Sequence, residues 1–163
     1  MGMLPVDCIF FTTMVEIAKC KNKQYIVKDF AKEMSMSMRI VRLGTVRLPG
    51  EGIRIGTVRR PPRGVPKGEF ASRNFYDVWL PNLAPSDELL KEAQLSESDA
   101  QWRSFFRKYR AEMKRPENSH IIDLLAGLSH HTDISVGCYC PDEQRCHRSV
   151  LRALLLERGA DVK

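Results

Sequence analysis

Between Gly137 and Val150 the chain reads GCYCPDEQRCHRSV, which brings Cys138, Cys140, Cys146, His147, Arg145 and Arg148 into one short stretch. Those residue types serve three chemistries. The first is thiol nucleophilic attack, for which a thiol near a helix N-terminus and flanked by arginines has a lowered pKa; Cys146 fits this best and Cys140 next. A phosphatase-type loop, in which one cysteine and one arginine wrap a phosphate, fails on register, because the positions that would have to be cysteine are Asp142 for Arg148 and Tyr139 for Arg145. The second is zinc binding. Cys138, Cys140, Cys146 and His147 are suitable ligand types, but their pairs are separated by one residue or none, against about two to four in familiar knuckles, and no residue is assigned to a metal. The third is an anion cradle. A reversible Cys140–Cys146 disulfide is a further option, and Cys138 suits a small buried strand residue.

The elements that position these groups can be read outward from them. DISVGCYC alternates, with Ile134, Val136, Cys138 and Cys140 on one face of a strand and Ser135, Gly137 and Tyr139 on the other. Pro141 opens a turn, and CHRSVLRALLLERG follows as a helix with Val150, Leu151, Leu154 and Leu155 on its apolar side and Gly159 placed to end it. In open α/β sheets the ligand crevice lies at the carboxyl ends of the strands, where this loop falls. Arg145, His147 and Arg148 then crowd the first turn of a helix whose free N–H groups already make that end positive. A bound anion held by N–H groups and guanidinium together would relieve the conflict. On this ground Arg145, His147, Arg148 and Ser149 are candidate ligand-binding residues.

A second concentration of charge lies upstream. From Arg39 to Lys67 eight basic residues face one acid, Glu51, a surplus of seven in a chain whose net charge is +6. An anionic partner is implied, either a small phosphate-bearing ligand or a nucleic acid, and a solvated basic face is the plain alternative. Within this segment RLGTVRLP at 42–49 returns as RIGTVRRP at 54–61 around the turn-forming PGEG, which predicts a β-hairpin of two N-terminal strands. That hairpin would set Arg47 against Arg54 and Arg42 against Arg59, an unfavourable pairing of like charges. Beyond the broken loop 60–68, Ser86 is a predicted N-cap and Ser98 to Gln101 a capping box. Trp102, Phe105, Phe106, Tyr109 and Met113 recur at helical spacing and are expected in the core rather than under a stacked base. A further helix is predicted over about 116–128, with His120, His130 and His131 on it or just past its end.

With 163 residues, 43% of them hydrophobic and 28% charged, the chain has the composition of one soluble domain. Five cysteines, three of them clustered, do not suit a secreted disulfide framework, and the early apolar run is too short and too interrupted for a signal peptide or a membrane span. The expectation is a cytoplasmic protein with reduced thiols. Residues 1–37 pattern weakly and are set apart as an N-terminal extension, with Met34, Met36 and Met38 each standing as an in-frame alternative start; residues 38–163 form the single domain. The fold class expected is α/β, a compact sheet with N-terminal hairpin strands, packed helices and a Rossmann-like strand-loop-helix at the C-terminus.

Four segments in order, GIRIGTVRRPPRGVPK, YDVWLPNLAPSDELL, WRSFFRKYRAEM and CYCPDEQRCHRSVL, resemble the family known as domain of unknown function 488 (DUF488), in its YeaO-like branch, over about Met38 to the end. The resemblance implies a small cytoplasmic α/β domain with a central sheet and no established reaction. It carries the family's arginines onto Arg59 and Arg63, with Gly64 after the latter, and its cysteine-histidine-arginine motif onto Cys146, His147 and Arg148. Val58 stands where an acid is common in the family, and the YeaO-like branch often lacks the cysteine motif, so the chain combines features of two subgroups. The functional expectation is a domain that binds an anionic small molecule, a phosphate-bearing ligand such as a nucleotide, through Arg59, Arg63, Arg145, His147, Arg148 and Ser149, with cysteine-dependent chemistry at Cys146 or Cys140. The alternatives are a nucleic-acid-binding module using the basic 39–67 segment and a zinc-stabilised domain. No cofactor and no membrane partner is assigned.

Overall fold

The structure, a computed structural model, describes residues Met36–Lys163, which form one compact unit. The extension expected over residues 1–37 lies outside the described residues except for its last two. Four strands make one sheet: β1 (Met38–Arg42), β2 (Ile53–Gly56), β3 (Val78–Trp79) and β4 (Ile134–Cys138). Their order is β1-β4-β2-β3 and every pairing is parallel. Four helices accompany them: α1 (Asp87–Gln94), α2 (Asp99–Met113), α3 (Pro116–Leu128) and α4 (His147–Glu157). This is an α/β fold with the expected strand-loop-helix at its C-terminal end. Among the described residues no helix is long and apolar enough to cross a membrane.

The predicted hairpin does not form. β1 and β2 are not neighbours; each pairs with β4, which lies between them with Ile134 opposite both Met38 and Ile53, and Val136 opposite both Ile40 and Ile55. The physical reason lies in β4. All five of its residues are buried, so it must be paired on both edges and covered on both faces. The echoed segments contribute only short pieces to strands, Arg42 from the first copy and Arg54–Gly56 from the second, and the chain between β1 and β2 is a ten-residue loop rather than a four-residue turn. Gly52 permits the return: its φ is +70°, and a Cβ there would lie 1.7 Å from the Asp133 carbonyl oxygen.

The feared arginine pairs are thereby dissolved. Arg47 makes a two-pronged ion pair with Asp77, both bonds 2.8 Å. Arg54 is fully buried; it bonds Glu51 through Nη2 at 2.7 Å and the carbonyls of Thr45 and Asn74 through Nη1 at 2.8 and 2.6 Å. The helices begin as the sequence dictates. The Ser86 side chain accepts from the Leu89 N–H, and Ser98 and Gln101 form a complete capping box. Phe105, Tyr109 and Met113 of α2 join Met38, Ile134, Val136, Leu151 and Leu155 in the main core, while Trp102 and Phe106 pack at its margin. A smaller apolar cluster holds Leu43, Val58, Tyr76, Cys138 and Cys146. This second cluster surrounds the predicted chemistry.

Candidate functional site

β4 ends at Cys138, and α4 begins with Cys146 at its N-cap, so the intervening loop folds the three thiols onto one spot. The Cys138 and Cys140 sulfurs lie 3.7 Å apart, and none of the three is in a disulfide. One ligand atom from each of Cys138, Cys146 and His147 lies within 4.8 Å of the other two. His147 is buried and its orientation is fixed. Nε2 stands 2.9 Å from the Thr57 carbonyl oxygen, which can only accept, so Nε2 carries the proton and donates it. The other ring nitrogen, Nδ1, stands 3.7 Å from the Cys146 sulfur. Beneath the ring, Tyr109 packs edge-on with centroids 5.3 Å apart, and the Tyr109 hydroxyl donates to the Leu83 carbonyl at 2.7 Å.

The three thiols do not titrate alike. Cys146 is held well below the ordinary thiol range because the Cys138 thiol and then the Cys140 thiol donate to its sulfur, which outweighs its burial, and His147 adds to the effect. Cys138 is pushed far up, since it donates to Cys140 and to Cys146 and is itself buried. For Cys140 the Cys138 thiol acts downward, but donation to Cys146 and burial prevail, and its pKa is pushed up to about 11. Of the three, Cys146 is the sulfur whose surroundings most favour the thiolate.

Above this floor opens a cleft of about 710 Å³. Cys138, Cys140, Cys146 and His147 line its base, Arg59, Arg60, Arg63, Lys91 and Arg145 its basic side, and Val58, Phe75, Leu90, Trp102 and Phe105 its apolar walls. The structure therefore brings together in one cavity the two regions that the sequence marked separately, the arginines after β2 and the thiols before α4. Of the predicted ligand-binding residues, Arg59, Arg63, Arg145 and His147 line the cleft. Arg59 is anchored: its guanidinium donates to the carbonyls of Pro85 and Ala84 at 2.9 Å each. Arg145 is exposed, with only a 3.9 Å approach to the exposed Asp99 carboxylate. Arg63 is exposed, and among the described residues it has no ion-pair partner.

Arg148 and Ser149 are outside the lining. Arg148 is 3% exposed, donates through Nη2 to the Cys140 carbonyl at 2.7 Å, and leaves Nε buried without a partner. Ser149 turns back on its own helix, its hydroxyl donating to the Cys146 carbonyl at 2.9 Å. Among the described residues Arg148 meets no carboxylate and sits inside the protein, whereas Arg145 precedes α4 and is exposed beside Asp99. Sequence reasoning missed Thr57, whose carbonyl orients His147, and read Cys138 either as a zinc ligand type or as strand packing. Besides its residue type, the signal for Cys138 was the alternation that placed it on the same face as Cys140 at the end of β4.

Searches among curated proteins and among solved structures returned no match. Scanned against protein families, residues 38–159 match the group described as the active DUF488-N3 subclade, a description that does not name the YeaO-like branch. The match begins with β1, ends after α4, and takes in both the basic loop and the thiol cluster. The chain belongs to the DUF488 family.

Proposed function

We propose that the cleft binds a small phosphate-bearing ligand, of which a nucleotide suits it best, and that Cys146 at its base acts on that ligand as a sulfur nucleophile. The observation that carries this reading is the convergence of a basic side and a thiol floor in one cavity. Its volume falls within the range of about 300–1,000 Å³ usual for small-ligand sites. Arg63 and Arg145 supply exposed charge for the phosphate, while Arg59, tied to two carbonyls, holds the loop that presents Arg63. The half-buried Trp102 and the edges of Phe75 and Leu90 offer the apolar surface that a planar base requires. Cys140 is the second candidate for the reacting sulfur.

The nucleic-acid reading depends on a continuous basic face over 39–67, and the ties of four of its eight basic side chains count against it. Arg54 is buried on Glu51, Arg47 is paired with Asp77, Arg60 with Asp87, and Arg59 is spent on carbonyls. Thermal shift with inorganic phosphate and a panel of mononucleotides tests the proposal. A ligand at about 100 times its Kd should stabilise the chain by about 2.7 kcal/mol, and Arg63→Ala should abolish the shift. If no member of the panel stabilises the chain, or the variant responds like the wild type, the reading fails. Oligonucleotide binding that weakens steeply with salt and ignores Arg63 would favour the other.

A further inference from the structure

The thiol-imidazole cluster presents a coordination sphere that the ligand reading does not use. We infer that Cys138, Cys146 and His147, completed by Cys140, form a site for a thiophilic closed-shell cation of the zinc class at the base of the cleft. Four observations converge on it. First, two of the distances match a tetrahedron's edges. Ligands about 2.3 Å (sulfur) and about 2.0 Å (nitrogen) from a common metal stand about 3.8 Å apart for a sulfur pair and about 3.5 Å for a sulfur and a nitrogen. The Cys138–Cys140 sulfurs and the Cys146–His147 Nδ1 pair are each at 3.7 Å. The longest separation among Cys138, Cys146 and His147 is within 4.8 Å, so bringing these three to tetrahedral spacing takes side-chain shifts of about 1 Å, and Cys140 turns in from beside Cys138 to complete the sphere.

Second, the imidazole is prepared as metal-binding imidazoles usually are. Its Nε2–H is committed to the Thr57 carbonyl at 2.9 Å, which fixes the ring and leaves Nδ1 facing the sulfurs. Third, the charges balance. Three thiolates and one divalent cation sum to −1, and the adjacent buried guanidinium of Arg148, without a carboxylate partner among the described residues, supplies +1. Fourth, thiols are poor hydrogen-bond donors. Three of them clustered together, one against an imidazole nitrogen, satisfy one another weakly and a soft cation well. Coordination displaces the remaining thiol protons, which leave to solvent.

The site goes beyond the ligand reading and needs none of the basic side chains. It also bears on Cys146, whose sulfur cannot serve a cation and attack an electrophile at once. Metal-loaded and reactive forms are therefore exclusive.

The test uses the full chain under reducing conditions, titrated with Co²⁺ and then Zn²⁺. Expected are one Co²⁺ per chain with thiolate-to-metal charge-transfer absorption, displacement by Zn²⁺, and protection of Cys146 from iodoacetamide in the loaded form. Cys138→Ala should weaken binding by about 100-fold or more, beyond the effect usual for outer-sphere changes, while leaving Cys146 open to alkylation. His147→Gln provides a second variant should the first fail to fold by circular dichroism. A Cys8→Ala/Cys20→Ala chain should bind as the wild type does. Arg63→Ala should keep the metal while losing nucleotide binding, which separates failure of this inference from failure of the ligand reading. Absence of a stoichiometric thiolate band, or a band unchanged in Cys138→Ala and His147→Gln, overturns the site.

Discussion

Arg59 and Arg63 stand four positions apart on the same side of the cleft, yet their surroundings give them different work. The Arg59 guanidinium is held by two carbonyls at 2.9 Å, Pro85 and Ala84, and so fastens the loop after β2 to the segment before α1. Arg63 has no such tie and is exposed. Truncating Arg59 to Ala removes two charge-assisted bonds and leaves two carbonyls to find water, which should cost about 1.5–3 kcal/mol. Arg63→Ala should change stability by no more than about 0.5 kcal/mol. Urea unfolding of the two variants checks the contrast, and equal losses would mean that the assignment of anchor and ligand arm is wrong. Arg59→Lys should recover little of the deficit, because one ammonium cannot span the two acceptors that the planar fork reaches.

At the scale of elements, β4 decides the architecture and carries the site. Gly137 lies in this central strand where a Cβ would come 2.6 Å from the Leu43 side chain and 3.0 Å from the Val41 carbonyl oxygen. Gly137→Ala should therefore destabilise the chain by about 1–3 kcal/mol through overpacking, measurable as a lower urea midpoint at unchanged slope. Ser98→Ala should cost about 1 kcal/mol through loss of the α2 cap alone. These elements differ in how legible they are in sequence. The caps of α1 and α2, the aromatic stripe of α2 and the strand-loop-helix around Cys138–Cys146 rest on contacts within a few residues, which local spacing records. The partner of β1 is nearly a hundred residues away, and a repeated RxGTVR with a turn between its copies mimics a hairpin as long as β4 is left out. The site was half legible for the same reason. Cys146, His147 and the arginines announce themselves by type, whereas Thr57, whose carbonyl and hydroxyl both meet Nε2 of His147, is brought in only by the β2–β4 pairing.

For the molecule as a whole, the buried Arg54 is the tie between parts that are distant in sequence. Its guanidinium reaches Glu51 before β2, Thr45 in the loop after β1 and Asn74 before β3, while Glu51 also accepts from the Ser135 hydroxyl on β4 at 2.9 Å. A buried charge pair of this kind contributes little over a well-packed apolar substitute but is costly to break from one side. Glu51→Gln, which leaves the guanidinium buried without its counter-charge, should cost about 3–5 kcal/mol. The pair also sets a pH dependence whose direction follows from its surroundings. Burial alone would raise the Glu51 carboxyl, but the bonds from Arg54, the Leu48 N–H and Ser135 outweigh it and hold the group below the ordinary carboxylate range. Asp77 is lowered as well, chiefly by Arg47. A carboxyl with a folded pKa below its unfolded value binds protons more readily in the unfolded chain, so its contribution is complete above about pH 4.5 and drains away as the pH falls further. The midpoint of thermal unfolding should accordingly drop between about pH 4.5 and 3 in the wild type and drop less steeply in Glu51→Gln. Parallel curves for the two proteins would show that the arginine at the centre of the fold is held by its carbonyl contacts rather than by its carboxylate.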